Sequence, residues 1–162
     1  MHNMNEILNT VINLLIGILF ILFFSSCDLF RDSEKACDNL VMTDETGLEI
    51  GKKGDPSDQW TIKYLEQGSS FLQNVIINPV YPNPIKSEGY TNLTYIIPNN
   101  MRVKIEMVMP NGEIIPIIGE VRLEEGTHNV RIEFGSENGC VRFNYFFNGS
   151  STPNAYGLLL VE

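Results

Sequence analysis

Of the two histidines in the 162-residue chain, only His128 lies beyond the N-terminal segment, directly after the turn Glu124-Glu125-Gly126. An imidazole beside Glu124 or Glu125 has the makings of a general base. Its place at the head of an alternating strand pattern fits a structural residue better. With no second histidine nearby, the spacing does not suggest a histidine metal site. Ser69-Ser70 and Ser150-Ser151 lie in loop-like sequence without the G-x-S-x-G elbow of a nucleophilic serine, and no glycine motif that cradles phosphate occurs. No Asp follows Asp58, and the eight glutamates from Glu88 to Glu137 are scattered, so no two stand out as a glycosidase pair. Calcium loops of alternating Asp and Asn are missing as well. The sequence therefore predicts a protein that is not an enzyme, with no cofactor and no metal.

The elements that would position these residues are strands. Apolar residues make up 43% of the chain and charged residues 19%, enough for a core and too little charge for a disordered chain. Met101 to Met109 alternates apolar and mostly charged residues, which predicts a half-buried strand. Pro110-Asn111-Gly112 then turns the chain, and Pro116 marks the segment Glu113 to Gly119 as an edge or bulged strand. His128 to Phe134 places Val130, Ile132 and Phe134 on one face. Val141, Phe143, Tyr145 and Phe147 form another inward set, and Leu158 to Val161 reads as a strand buried on both sides. Turn residues recur at the roughly 8–12-residue spacing of a β-sandwich. The fold class expected is all-β, an antiparallel sandwich of about seven strands.

The chain carries a net charge of −9, which argues against nucleic acid as a partner because phosphate binding needs a basic face. Val11 to Phe24 reads VINLLIGILFILFF, too short for a spanning helix of about 20 residues but suited to a signal-peptide core. Ser25, Ser26 and Cys27 follow, an ending that resembles a bacterial lipobox. The resemblance implies cleavage after residue 26 and lipid attachment at Cys27, although the n-region lacks Lys and Arg. Residues 1–26 are thus expected to be a lipoprotein signal peptide, and residues 27–70 an acidic tether with short strands at Gly47–Ile50 and Trp60–Leu65. From Asp28 to Glu66 there are ten acids and five bases. Residues 71–162 would form the sandwich. With Cys27 taken by lipid, Cys37 and Cys140 remain as a candidate disulfide in an oxidising compartment, two unpaired thiols being the alternative. The sequons at Asn92 and Asn148 are read as chance matches in a chain of this kind.

One further pattern spans about half of the chain, from Asn78 to Glu162. Tyr81-Pro82-Asn83-Pro84 precedes Thr91-x-Leu93-x-Tyr95-x-Ile97-Pro98, then Val103-x-Ile105-x-Met107, Gly112, and Gly126-x-His128-x-Val130-x-Ile132. This order resembles the Ig-like domain of flagellar hook-capping proteins and the C-terminal sorting domains of the type IX secretion system. The resemblance implies an Ig-like sandwich. Met109-Pro110 stands where the family has an acidic turn residue, and Gly157-Leu158-Leu159 lacks the family's terminal aromatic. The function expected is a membrane-anchored, noncatalytic envelope lipoprotein whose sandwich binds an envelope protein or surface glycan, on the periplasmic face or the cell surface. The alternative is a stand-alone sorting-type domain that engages type IX secretion machinery.

Overall fold

In the computed structural model, the residues described are 37–57, 59–62, 72 and 74–162. They fall within a compact unit, Ala36–Glu162. Among them the regular elements are all strands. A hairpin, β1 (Leu40–Thr43) and β2 (Glu49–Lys53), precedes two antiparallel sheets. The first sheet has the order β3–β4–β7, from Ile76–Ile77, Tyr90–Ile97 and Gly126–Glu133. The second has the order β6–β5–β8–β9, from Ile114–Leu123, Met101–Val108, Gly139–Phe147 and Ala155–Val161. Three and four strands make a seven-stranded antiparallel sandwich, in agreement with the fold class expected from the sequence.

Alternation decides which face each strand buries. On β5, Met101, Val103, Ile105 and Met107 are buried while Arg102 is exposed. β8 buries Val141, Phe143, Tyr145 and Phe147, and β4 buries Thr91, Leu93, Tyr95 and Ile97. Ile132 and Phe134 join the same core, and Val130 is half-buried at its margin. A one-residue slip would exchange every one of these faces. β6 is an edge strand with register shifts near Pro116, which lies opposite Glu106. That placement follows from the missing proline N–H, which bars a central position.

The segment expected as a tether is packed on the domain at several points over residues 37–57 and 59–62. Leu40 and Val41 are buried, and Thr43 pairs with Asn83 across an isolated bridge. The hairpin turn is closed by Asp44, whose carboxylate accepts hydrogen bonds from the Thr46 hydroxyl at 2.7 Å and from the Thr46 and Leu48 amides at 2.8 and 3.0 Å. The Thr46 hydroxyl is the main cause holding the Asp44 pKa below its ordinary value. Gly47 takes φ +86° at this turn with its Cα against the Tyr81 ring, a conformation glycine adopts without penalty. β2 covers part of one expected strand and extends beyond it to Lys53. No strand forms over Trp60–Ile62, and the remainder of the Trp60–Leu65 expectation lies outside the described residues.

Candidate functional site

β9 ends the four-stranded sheet, so its outer backbone groups would ordinarily face solvent or a foreign strand. In this chain they are occupied one after another. The Trp60 amide donates to the Tyr156 carbonyl at 2.7 Å. Asn83 Nδ2 donates to the Leu158 carbonyl at 2.9 Å, and the Leu160 amide donates to Asn83 Oδ1 at 3.1 Å. The Ile85 amide donates to the Leu160 carbonyl at 2.9 Å, the Glu162 amide to the Ile85 carbonyl at 2.8 Å, and the Ser87 amide to the Glu162 carbonyl at 2.6 Å. A side-chain carboxamide thus stands in for one peptide group of a missing strand.

Asn83 is fully buried and serves two elements at once. Its Nδ2 also donates to the Val41 carbonyl at 2.8 Å, and its backbone exchanges hydrogen bonds with Thr43 at 2.9 and 3.2 Å. The peptide bonds before Pro82 and Pro84 are both cis. Tyr81 pairs with Asn92 of β4, so this segment passes from the three-stranded sheet to β9, where Asn83 also holds the β1–β2 hairpin. Gln59 Nε2 donates to the Asn39 carbonyl at 2.6 Å, which fixes the loop leading to Trp60.

Cys37 and Cys140 are joined by a disulfide, with Cα atoms 5.5 Å apart across 103 positions of sequence. Cys140 lies near the start of β8, opposite Leu160 of β9. Trp60 is buried, and its ring covers Gly157 so closely that a Cβ there would overlap the indole. The same ring meets Tyr145 edge-on, with centroids 6.4 Å apart. Tyr145 is wholly buried, and burial followed by the charge of Tyr95 pushes its pKa well above the ordinary value. Burial raises Tyr95 to about 12. Cys27, the expected lipid-attachment residue, and the signal segment 1–26 lie outside the described residues.

Among the described residues, no carboxylate meets His128. Its Nε2 lies 2.9 Å from the Glu124 backbone carbonyl, and its ring stacks on Tyr95 with centroids 5.2 Å apart. That arrangement orients an imidazole without coupling it to a catalytic acid. Among the described residues no group of three or more His, Cys, Asp or Glu is placed to hold a metal ion. Two solvent-open cavities have well-defined linings. One, of about 360 Å³, is apolar and lined by Trp60, Ile62, Leu72, Val75 and Ile77 among others. The second, of about 280 Å³, is polar and lined by Asn100, Met101, Arg102, Arg122 and Asn148. No local sequence pattern marks this second group. Its members come from the turn before β5, two paired strands and the turn after β8.

Fold and bridge together define a disulfide-closed, all-β sandwich. No protein-family model matches the chain, and no curated protein matches it. Among solved structures, it is similar to the sensor domain of the anti-sigma factor RsgI4 in Pseudobacteroides cellulosolvens. The two are 6% identical, with a TM-score of 0.41 over 54% of this chain and 92% of that one. A likeness of this size leaves the functional reading to the chain's own residues.

Proposed function

We propose that the chain is a membrane-anchored, noncatalytic binding module of the bacterial envelope, attached through lipid at Cys27. The observation that supports this reading most directly is the Cys37–Cys140 bridge. Disulfides persist in exported proteins and are rare where thiols are kept reduced. An apolar run of signal-peptide length ending in Ser25-Ser26-Cys27 stands upstream of it, so the lipobox resemblance and the redox chemistry agree. Two acyl chains give firm attachment where one would be marginal. The bound partner would be an envelope protein or a surface glycan, and nucleic acid is not expected.

The reading is tested by labelling cells with radioactive palmitate. Wild-type chain should take up label and fractionate with membranes, while Cys27→Ala should take up none. Normal maturation of the Cys27→Ala protein with full membrane retention would exclude a lipid anchor at this residue. The alternative, a stand-alone sorting-type domain engaging type IX secretion machinery, gains no support from β9. The outer backbone edge of β9 is already engaged by Trp60, Asn83, Ile85 and Ser87.

A further inference from the structure

The polar cavity at the end of the four-stranded sheet collects hydrogen-bond donors and excess positive charge in a chain of net charge −9. The β5–β6 register sets Arg102 directly opposite Arg122, and like charges in that relation destabilise a strand pair. Arg102 has a partial counterion in Glu120, at 3.5 Å on the exposed face. Arg122 has neither an ion pair nor a side-chain hydrogen bond among the described residues.

Two carboxamides complete the lining, and both are oriented by backbone groups. Asn148 Oδ1 accepts the Arg102 backbone amide at 3.2 Å, while the Asn148 backbone N–H donates to the Arg102 carbonyl at 2.8 Å. Asn148 holds φ +53° in doing so. Asn100 Oδ1 accepts the Glu125 amide at 3.0 Å. Each carbonyl oxygen is held by a main-chain donor, which leaves both N–H groups of each NH₂ end for a ligand. The polar side chains of the cavity therefore offer the donors of two guanidinium groups and two NH₂ groups, with no carboxylate among them.

We infer that this cavity binds the carboxylate of an acidic sugar, of the uronic acid class. A guanidinium fork matches a planar carboxylate with two parallel hydrogen bonds. The asparagine amides would serve the remaining carboxylate lone pairs and ring hydroxyls. At about 280 Å³ the space lies near the lower end of small-molecule pockets, roughly 300 Å³, which suits one sugar unit rather than a bare ion. Glu120 shares Arg102, so Arg122 is the stronger contact, and the open setting makes binding weaken as salt rises. This site rests on the reading of the sandwich as an envelope binding module and names its ligand class.

The test titrates the full chain in detergent with glucuronate, glucose and inorganic phosphate, following the side-chain amide NMR signals of Asn100 and Asn148. Glucuronate should shift both signals and saturate. Affinity should fall roughly tenfold or more in Arg122→Gln, as expected for loss of a charged hydrogen bond. Arg142→Gln, a neutralised arginine elsewhere on the sheet, should bind as wild type. Absence of saturation, an undiminished response in Arg122→Gln, equal binding of glucose, or tighter binding of phosphate would each overturn the assignment. Palmitate labelling scores attachment separately, so failure of sugar binding and failure of the anchored reading give different results.

Discussion

The indole of Trp60 lies directly on Gly157, where no Cβ can be accommodated. Two segments separated by almost the whole sandwich are packed together by the absence of a single methyl group. Gly157→Ala should therefore destabilise the domain by about 1–3 kcal/mol through overpacking. Trp60→Ala should cost about 3–5 kcal/mol. In the Trp60→Ala background the alanine at 157 should be nearly neutral, which denaturant unfolding of the four proteins in a double-mutant cycle measures. Additive losses would show that the two residues do not contact.

Asn83 carries a different kind of burden. Asn83→Ala would leave the Val41 and Leu158 carbonyls and the Leu160 amide without partners, and each orphaned buried group costs about 1–3 kcal/mol. The expected outcome is a marked loss of stability, with faster hydrogen exchange at the Leu160 amide than elsewhere in β9. Unchanged protection at Leu160 would show that another group can close the edge.

The disulfide closes a loop spanning 103 positions, for which the chain-entropy relation gives roughly 4–5 kcal/mol. The double variant Cys37→Ser with Cys140→Ser should unfold at substantially lower denaturant concentration than the oxidised protein. Equal midpoints would mean that the hairpin is held by its noncovalent contacts alone.

Strand faces are checked by a pair of truncations. Phe143→Ala should cost about 3–5 kcal/mol, because the ring is fully buried. Arg131→Ala should cost about 1 kcal/mol or less, since its contacts with Tyr90 and Glu133 are exposed. Comparable losses from both would contradict the register.

These faces were legible in the sequence because period-two alternation is local: Val103, Ile105, Phe143 and Tyr145 announce themselves within their own strands. Pro116 likewise marked an edge. What stayed hidden depends on partners far along the chain. Leu40, Val41 and Met42 form too short an apolar run to signal a strand, and the first two are buried where Asn83 and β9 meet β1. Asn83 stands between two prolines with nothing local to mark its role, which is to close β9 with its carboxamide. Gly157 reads as the glycine of a family pattern whose aromatic is missing, whereas its bareness is what admits Trp60. The polar cavity escaped for the same reason, since no local pattern pairs Arg102 with Arg122 or brings Asn100 and Asn148 beside them.

Two core tyrosines make alkaline pH informative. Burial raises the Tyr95 pKa to about 12, and burial followed by the charge of Tyr95 holds Tyr145 well above its ordinary value. A raised folded value favours the neutral phenol, so this contribution to stability is complete below about pH 10, the unfolded value. It is lost as pH rises toward 12, where the unfolded chain has given up protons that the folded one keeps. Unfolding midpoints should fall between pH 10 and 12, and the phenolate absorbance of Tyr145 should appear only as the fold is lost. Ionisation of Tyr145 in a protein still folded would show that its ring reaches solvent.

The central claim is that an exported, lipid-anchored sandwich is closed by the Cys37–Cys140 bridge. Its most direct test is intact and peptide mass spectrometry of the protein purified from membranes under thiol-blocking, nonreducing conditions. The expected result is an N-terminus at acylated Cys27 and a single crosslinked peptide containing Cys37 and Cys140. An unprocessed N-terminus without lipid, or blocked free thiols at Cys37 and Cys140, would contradict it.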